Sequence, residues 1–153
     1  MYWKPTPRVK LYEALGAVVD GRIKIDGNTA KVYSSSGNKF YDITYDPAEQ
    51  AIMLNDNASY YKGYLGYPGI AFLMAKGVLP YPANAAEVLK GVAWKDINVR
   101  FKNNFEKALE FVLSQKPTED VAELEREVDL IEQQLKQMKF KLLGEKVAPP
   151  AGY

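Results

Sequence analysis

Chemistry in this chain has to come from carboxylates, lysines, tyrosines and aliphatic hydroxyls, because its 153 residues include no histidine and no cysteine. The missing cysteines remove disulfides, thiolate nucleophiles and Cys-ligated zinc. The missing histidines remove the side chain most often used as a general base near neutral pH. A Ser–Lys pair or a carboxylate site for magnesium is what remains. Asp42, Asp46, Asp56 and Asp96 form the acidic set to consider for a cation, and nothing in their spacing demands one. No cofactor and no metal are expected, and the leading expectation is a protein without catalytic activity.

The densest aromatic stretch is NASYYKGYLGYPG, residues 57–69, where Tyr60, Tyr61, Tyr64 and Tyr67 are interleaved with Gly63, Gly66 and Gly69. Tyrosine offers a large contact area with a polar tip, so the stretch reads either as a recognition surface or as a plug at the end of a sheet. The glycines permit unusual backbone angles or close packing. The stretch lacks the Lys-Ser/Thr that ends a phosphate-binding loop. A packed turn that exposes one or two rings is expected, with at least two of the four rings mostly buried. Lys95, Arg100, Lys102 and Lys107 form a basic cluster, diluted by Asp96 and Glu106. A candidate recognition surface therefore comprises Tyr60, Tyr61, Lys62, Tyr64, Lys95, Arg100 and Lys102. Near the start, Trp3, Lys4 and Arg8 read either as an anion-binding group or as an aromatic docked on its own domain.

The elements that would position these residues follow from periodicity. TPRVKLYEALGAVVDG reads as a helix capped by Thr6 and stopped by Gly21, with Val9, Tyr12, Leu15 and Val19 as its core stripe. RIKI and AKVY flank DGNT, a hairpin signal. KFYDITY alternates, placing Tyr41, Ile43 and Tyr45 on one face, and AIML reads as a buried strand. PGIAFLMAKG reads as a buried helix from Pro68 to Gly77, followed by a rigid linker, VLPYPAN. Asn84 with Glu87, and Asn103 with Glu106, have capping-box spacing at two later helix starts. Ile97, Val99 and Phe101 fit a strand or a helical turn equally.

The last helix carries the strongest pattern. Val121, Leu124, Val128, Ile131, Leu135, Met138 and Leu142 recur at alternating spacings of three and four. Such a strict seam suits a coiled coil better than a wide core stripe. Among the flanking charges, an antiparallel pair of copies would set Glu125 against Lys139 and Glu127 against Lys141. The same register opposes Leu124 to Leu142, Val128 to Met138, and Ile131 to Leu135. An antiparallel homodimer through residues 118–143 is therefore expected, along a rod of about 39 Å.

From residue 31 to 77 the order of elements resembles the SWIM zinc finger, a β-hairpin followed by a helix. KVYSSSGNKFYDITYDPAEQAIMLND looks like its strand part and GYPGIAFLMAKG like its helix start. Aligning these flanks puts Ile52 and Leu54 at the family's Cys-x-Cys, and Tyr67 and Gly69 at its Cys-x-His. None of the four binds zinc. The resemblance covers about a third of the chain. It implies apolar packing in place of the metal and an accessory role in binding DNA or protein.

The expected fold is α+β: a small antiparallel meander of three or four strands packed by helices, plus a long C-terminal coiled-coil-like helix. Residues 1–116 form the globular part, 117–143 the dimerisation helix, and 144–153 an extended or disordered tail. No apolar run is long enough to span a membrane, and MYWKPTPRVK lacks the apolar stretch of a signal peptide, so a cytoplasmic location is expected. A formal net charge of +1 provides no global field for nucleic acid. The leading expectation is a homodimeric scaffold or adaptor that binds another protein. The alternative is a nucleic-acid-binding accessory protein, and the third class is an enzyme working with carboxylates or lysine.

Overall fold

Asp26 and Thr29 face each other across Gly27 and Asn28, so DGNT closes a two-residue hairpin. Gly27 has a φ of 61°, a left-handed angle that glycine adopts without strain. In the computed structural model, which describes residues 1–82 and 84–151, this turn joins β1 (Ile23–Asp26) to β2 (Thr29–Tyr33). β3 (Phe40–Asp46) follows, burying Tyr41, Ile43 and Tyr45 and exposing Phe40, Asp42 and Thr44. β4 (Ala51–Leu54) is buried at every position. These four strands form the antiparallel meander that the alternation predicts. A fifth, β5 (Lys141–Leu142), adds to β4 in parallel, so the sheet is mixed, in the order β1-β2-β3-β4-β5.

The helices are α1 (Val9–Val19), α2 (Tyr67–Ala75), α3 (Trp94–Arg100), α4 (Phe105–Ser114) and α5 (Thr118–Lys136). α2 bridges the sheet and α1. A 3-10 turn at Ala85–Leu89, α4 and α5 pack on other sides of α1. As a result, every residue of α1 from Lys10 to Ala17 is buried. The class is α+β. Ile97 and Val99 belong to a helix, which settles their ambiguity. No helix among the described residues is long and apolar enough to cross a membrane. In the linker 78–84, Ala83 lies outside the described residues. The tail from 144 to 151 has no regular secondary structure, and 152–153 lie outside the described residues.

The predicted dimerisation helix is corrected in length and in partner. α5 stops at Lys136, and the chain turns there, with the Met138 amide donating to the Leu135 carbonyl. Phe140 then buries itself, and the segment joins the sheet edge together with the N-terminus. The Trp3 amide donates to the Phe140 carbonyl at 2.9 Å, and the Leu142 amide to the Met1 carbonyl at 3.1 Å. Met138 and Leu142 are thus outside the helix, and the register that opposed them to Val128 and Leu124 has no helical basis. Leu124, Val128 and Ile131 are fully buried in this chain's own core, where α5 meets α1 and the 3-10 turn, while Val121 and Leu135 are half-buried.

The charge pairs are corrected with it. Glu125 is exposed on α5, whereas Lys139 follows the helix end. Lys141 lies in β5, with its Nζ 3.7 Å from Glu49. Glu127 is buried, and both its oxygens accept from the Ala85 amide, at 3.0 and 3.1 Å. It thereby occupies the start of the 3-10 turn that Asn84 was expected to cap; Asn84 makes no cap bond. Thr6 likewise does not cap α1, since its hydroxyl donates to the Leu65 carbonyl at 2.9 Å. α4 is capped by Asn104, which accepts from the Lys107 amide at 3.1 Å, one residue later than predicted. Glu127→Ala is expected to destabilise the fold by about 1–3 kcal/mol in urea melts, because it strands a buried amide donor. Glu127→Gln keeps an acceptor and should lose less than half of that.

Candidate functional site

Two charged residues lie three apart on the buried helix α1: Lys10 and Glu13. Both line a cavity of about 670 Å³. Arg22 after α1, Tyr41 of β3, Asp56 after β4, and Tyr61, Lys62, Tyr64 and Tyr67 before and at the start of α2 line the same space. The opposite wall is Trp94, Lys95 and Asn98 of α3, with Phe105 opening α4. The volume falls in the usual range for small-molecule sites.

Close backbone approach shapes two walls. An added Cβ on Gly66 would overlap the Asp56 carboxylate, and one on Gly16 would come 2.6 Å from Trp94 Nε1. Glycine at these positions lets the acid and the indole sit where they do. The Ser59 amide donates to Asp56 Oδ2 at 3.3 Å, and the Gly66 amide to Ser59 Oγ at 3.1 Å, which ties the acid into the tight turn. Asn98 Nδ2 donates to Glu13 Oε1 at 3.3 Å. The Lys95 amide donates to Ser35 Oγ at 2.8 Å, fixing the start of α3 to the β2–β3 turn. Tyr67 meets Tyr41 edge-on at 6.4 Å and lies 6.0 Å from the Arg22 guanidinium.

Burial sets the electrostatics. It pushes the Glu13 and Asp56 carboxyls up, and the nearby Lys10 charge only partly opposes this. It pushes the Lys10 amine down against the pull of Glu13 and Asp56. The Tyr67 hydroxyl is driven strongly upward by the same desolvation. Lys10 Nζ lies 3.4 Å from the centre of the Phe105 ring. Three buried side-chain atoms on these walls have no hydrogen-bond partner: Asp56 Oδ1, Trp94 Nε1 and Asn98 Oδ1. Their residues are 4%, 3% and 8% exposed.

The predicted recognition surface is split by the fold. Tyr61, Lys62, Tyr64 and Lys95 come together around the cavity. Tyr60 does not line it; its ring packs edge-on against Tyr61 at 4.9 Å. Arg100 lies over the Phe111 ring at 4.7 Å, and Lys102 is exposed elsewhere. Of the four tyrosines only Tyr61, at 71%, is exposed, so the stretch is a packed turn with one exposed ring. Trp3 is docked, with Nε1 donating to the Ile52 carbonyl at 2.9 Å. Arg8 bonds Asp129 at 2.6 Å and Glu132 at 3.3 Å, pinning α1 to α5. The four aspartates do not converge. Asp42 pairs with Lys31 at 2.8 Å, Asp46 accepts from the Ala48 amide, and Asp96 is exposed. Among the described residues no group of three His, Cys, Asp or Glu side chains could hold a metal ion. Ile52 and Leu54 are buried in β4, and Leu54 lies against Gly69.

Sequence reasoning missed Lys10, Glu13, Trp94 and Asn98. One signal was present. In VKLYEALGAVV the apolar residues Val9, Leu11, Tyr12, Ala14, Leu15, Ala17 and Val18 surround the helix, leaving Lys10 and Glu13 no polar face to belong to. Trp94 and Asn98 arrive from a distant helix and leave no local trace.

A family model described as "Uncharacterised conserved protein UCP014422" matches residues 3–141, a span that contains every wall of the cavity. No curated protein and no solved structure matches the chain.

Proposed function

The chain belongs to this family of uncharacterised conserved proteins, and we propose that it binds a small polar organic molecule in the cavity and acts on it with Lys10 and Asp56. One observation carries this reading. Three buried polar atoms on two walls of one cavity lack partners, although a buried polar atom left bare costs about 1–3 kcal/mol. Asp56, Asn98 and Trp94 all line the cavity, so a bound ligand that turned these side chains toward it would supply the missing partners. The flanking amine and carboxyls, shifted by burial toward neutral forms, add acid–base capacity. This is the third class of function, an enzyme built from lysine and carboxylates. The adaptor reading drew its support from a seam that the fold uses internally.

The chain has two tryptophans, which makes the test internal. Small polar molecules that bind are expected to shift the Trp94 indole N–H signal in NMR spectra and to leave that of Trp3, already bonded to Ile52, in place. Binders that move only surface signals would overturn the reading. Nucleic-acid binding is a second reading, favoured by exposed Tyr61 beside exposed Lys62 at the cavity mouth. It requires single-strand affinity that falls steeply as salt rises.

A further inference from the structure

We infer that Lys10 is an imine-forming lysine and that the substrate class of this cavity is a small aldehyde or ketone. The inference rests on the reading of the cavity as a ligand site and names its chemistry.

A buried lysine kept for structure is held by a carboxylate. Lys10 is 5% exposed, yet among the described residues no carboxylate oxygen lies within 4.0 Å of its Nζ, and its side chain makes no hydrogen bond. Its neighbours are the Phe105 ring and, at Coulombic range, Glu13 and Asp56. An amine placed this way is poorly solvated as a cation and has its lone pair available, which is the condition for attack on a carbonyl carbon. The neutralising effect of burial on the amine supports the same conclusion. With histidine and cysteine absent, amines are the strongest nucleophiles that the cavity contains, and Lys10 is the buried one.

Asp56 supplies the proton handling. Its Oδ2 is held by the Ser59 amide while Oδ1 is unpartnered, so one oxygen is fixed and the other is free to carry a proton. The Lys10 nitrogen forms a bond to the carbonyl carbon, and the C=O π pair moves to oxygen, which takes the Asp56 proton. The nitrogen then returns a proton to Asp56. Protonation of the resulting hydroxyl by Asp56 lets it leave as water while the nitrogen lone pair forms the C=N bond, and the iminium nitrogen then returns its proton to Asp56. The balance is amine plus carbonyl giving imine plus water. Besides Lys10, the basic residues Arg22, Lys62 and Lys95 line the cavity, which favours substrates with an anionic group.

The full chain is treated at pH 7 with glyoxylate, and separately with propionaldehyde, in the presence of sodium cyanoborohydride, and modified lysines are mapped by mass spectrometry. Lys10 is expected to be alkylated at least tenfold faster than the exposed Lys24, Lys102 and Lys107, and faster with glyoxylate than with propionaldehyde. Unfolding in urea should abolish the preference. Lys10 reacting no faster than the exposed lysines overturns the inference. Asp56→Asn is expected to slow Lys10 alkylation at least fivefold with the exposed lysines unchanged; an unchanged Lys10 rate removes Asp56 from the mechanism. A binder that shifts the Trp94 signal while Lys10 stays unreactive refutes the imine and leaves the ligand site standing, whereas failure of both refutes both.

Discussion

Ile131→Asp is expected to unfold this protein rather than separate two copies of it. Ile131 is 0% exposed where α5 packs against the chain's own core, with Leu124 and Val128 beside it. A carboxylate there loses the burial of a large apolar side chain and gains an unpaired buried charge. Each alone costs several kcal/mol, and together they exceed about 4 kcal/mol, a large share of a domain's stability. Leu130→Asp, one residue earlier at 53% exposure, should change stability by no more than about 0.5 kcal/mol. Circular dichroism and urea midpoints measure the difference, and sedimentation of both variants beside wild type separates the explanations. A folded Ile131→Asp protein with an altered oligomeric state would restore the seam to an interface between copies.

That seam shows where the sequence was legible and where it was not. Its residues do recur at heptad spacing, but a 3.5-residue period and a straight helix diverge by only about 20° per heptad. Over the 19 residues of α5 the drift stays below the roughly 100° width of a core stripe, so the spacing alone could not separate the two. The four-stranded meander was readable because each strand is bounded by turn residues and pairs with its neighbour in sequence. β5 was not, because its pairing brings the C-terminal segment to mid-chain β4, at Gln50, and to the N-terminus, through Met1 and Trp3. Capping at Ala85 failed in the same way, since a carboxylate from 42 residues away displaced the local Asn84. One wall of the candidate site was visible in one segment, as Tyr61, Lys62 and Tyr64. Lys10 and Glu13 left only an indirect trace, an all-round apolar helix with no polar face for them, and Trp94 and Asn98 left none, because four neighbouring elements enclose α1 only in the fold.

Asp56→Asn should make the protein more stable at neutral and alkaline pH while suppressing its chemistry. Asp56 is 4% exposed, and desolvation raises its carboxyl above the ordinary 3.8, outweighing the hydrogen bonds from Ser59. The native state therefore keeps a proton over a pH range in which the unfolded chain has released it. The stability linked to that proton is complete below the unfolded value and is lost as pH rises through the native one. Asparagine has no proton to lose and still offers an oxygen to the Ser59 amide. The two proteins should thus melt alike near pH 3.5, and by pH 8 the variant should be ahead by about 1–2 kcal/mol. Asp56 also stabilises the Lys10 cation, so part of the gain is offset, and the advantage should grow in a Lys10→Met background. Stability higher without the carboxylate than with it would identify Asp56 as a group kept at the fold's expense, which is expected of a residue retained for a ligand. Equal destabilisation at both pH values would instead make it an acceptor needed by the turn, and would take away the acid on which the imine chemistry depends.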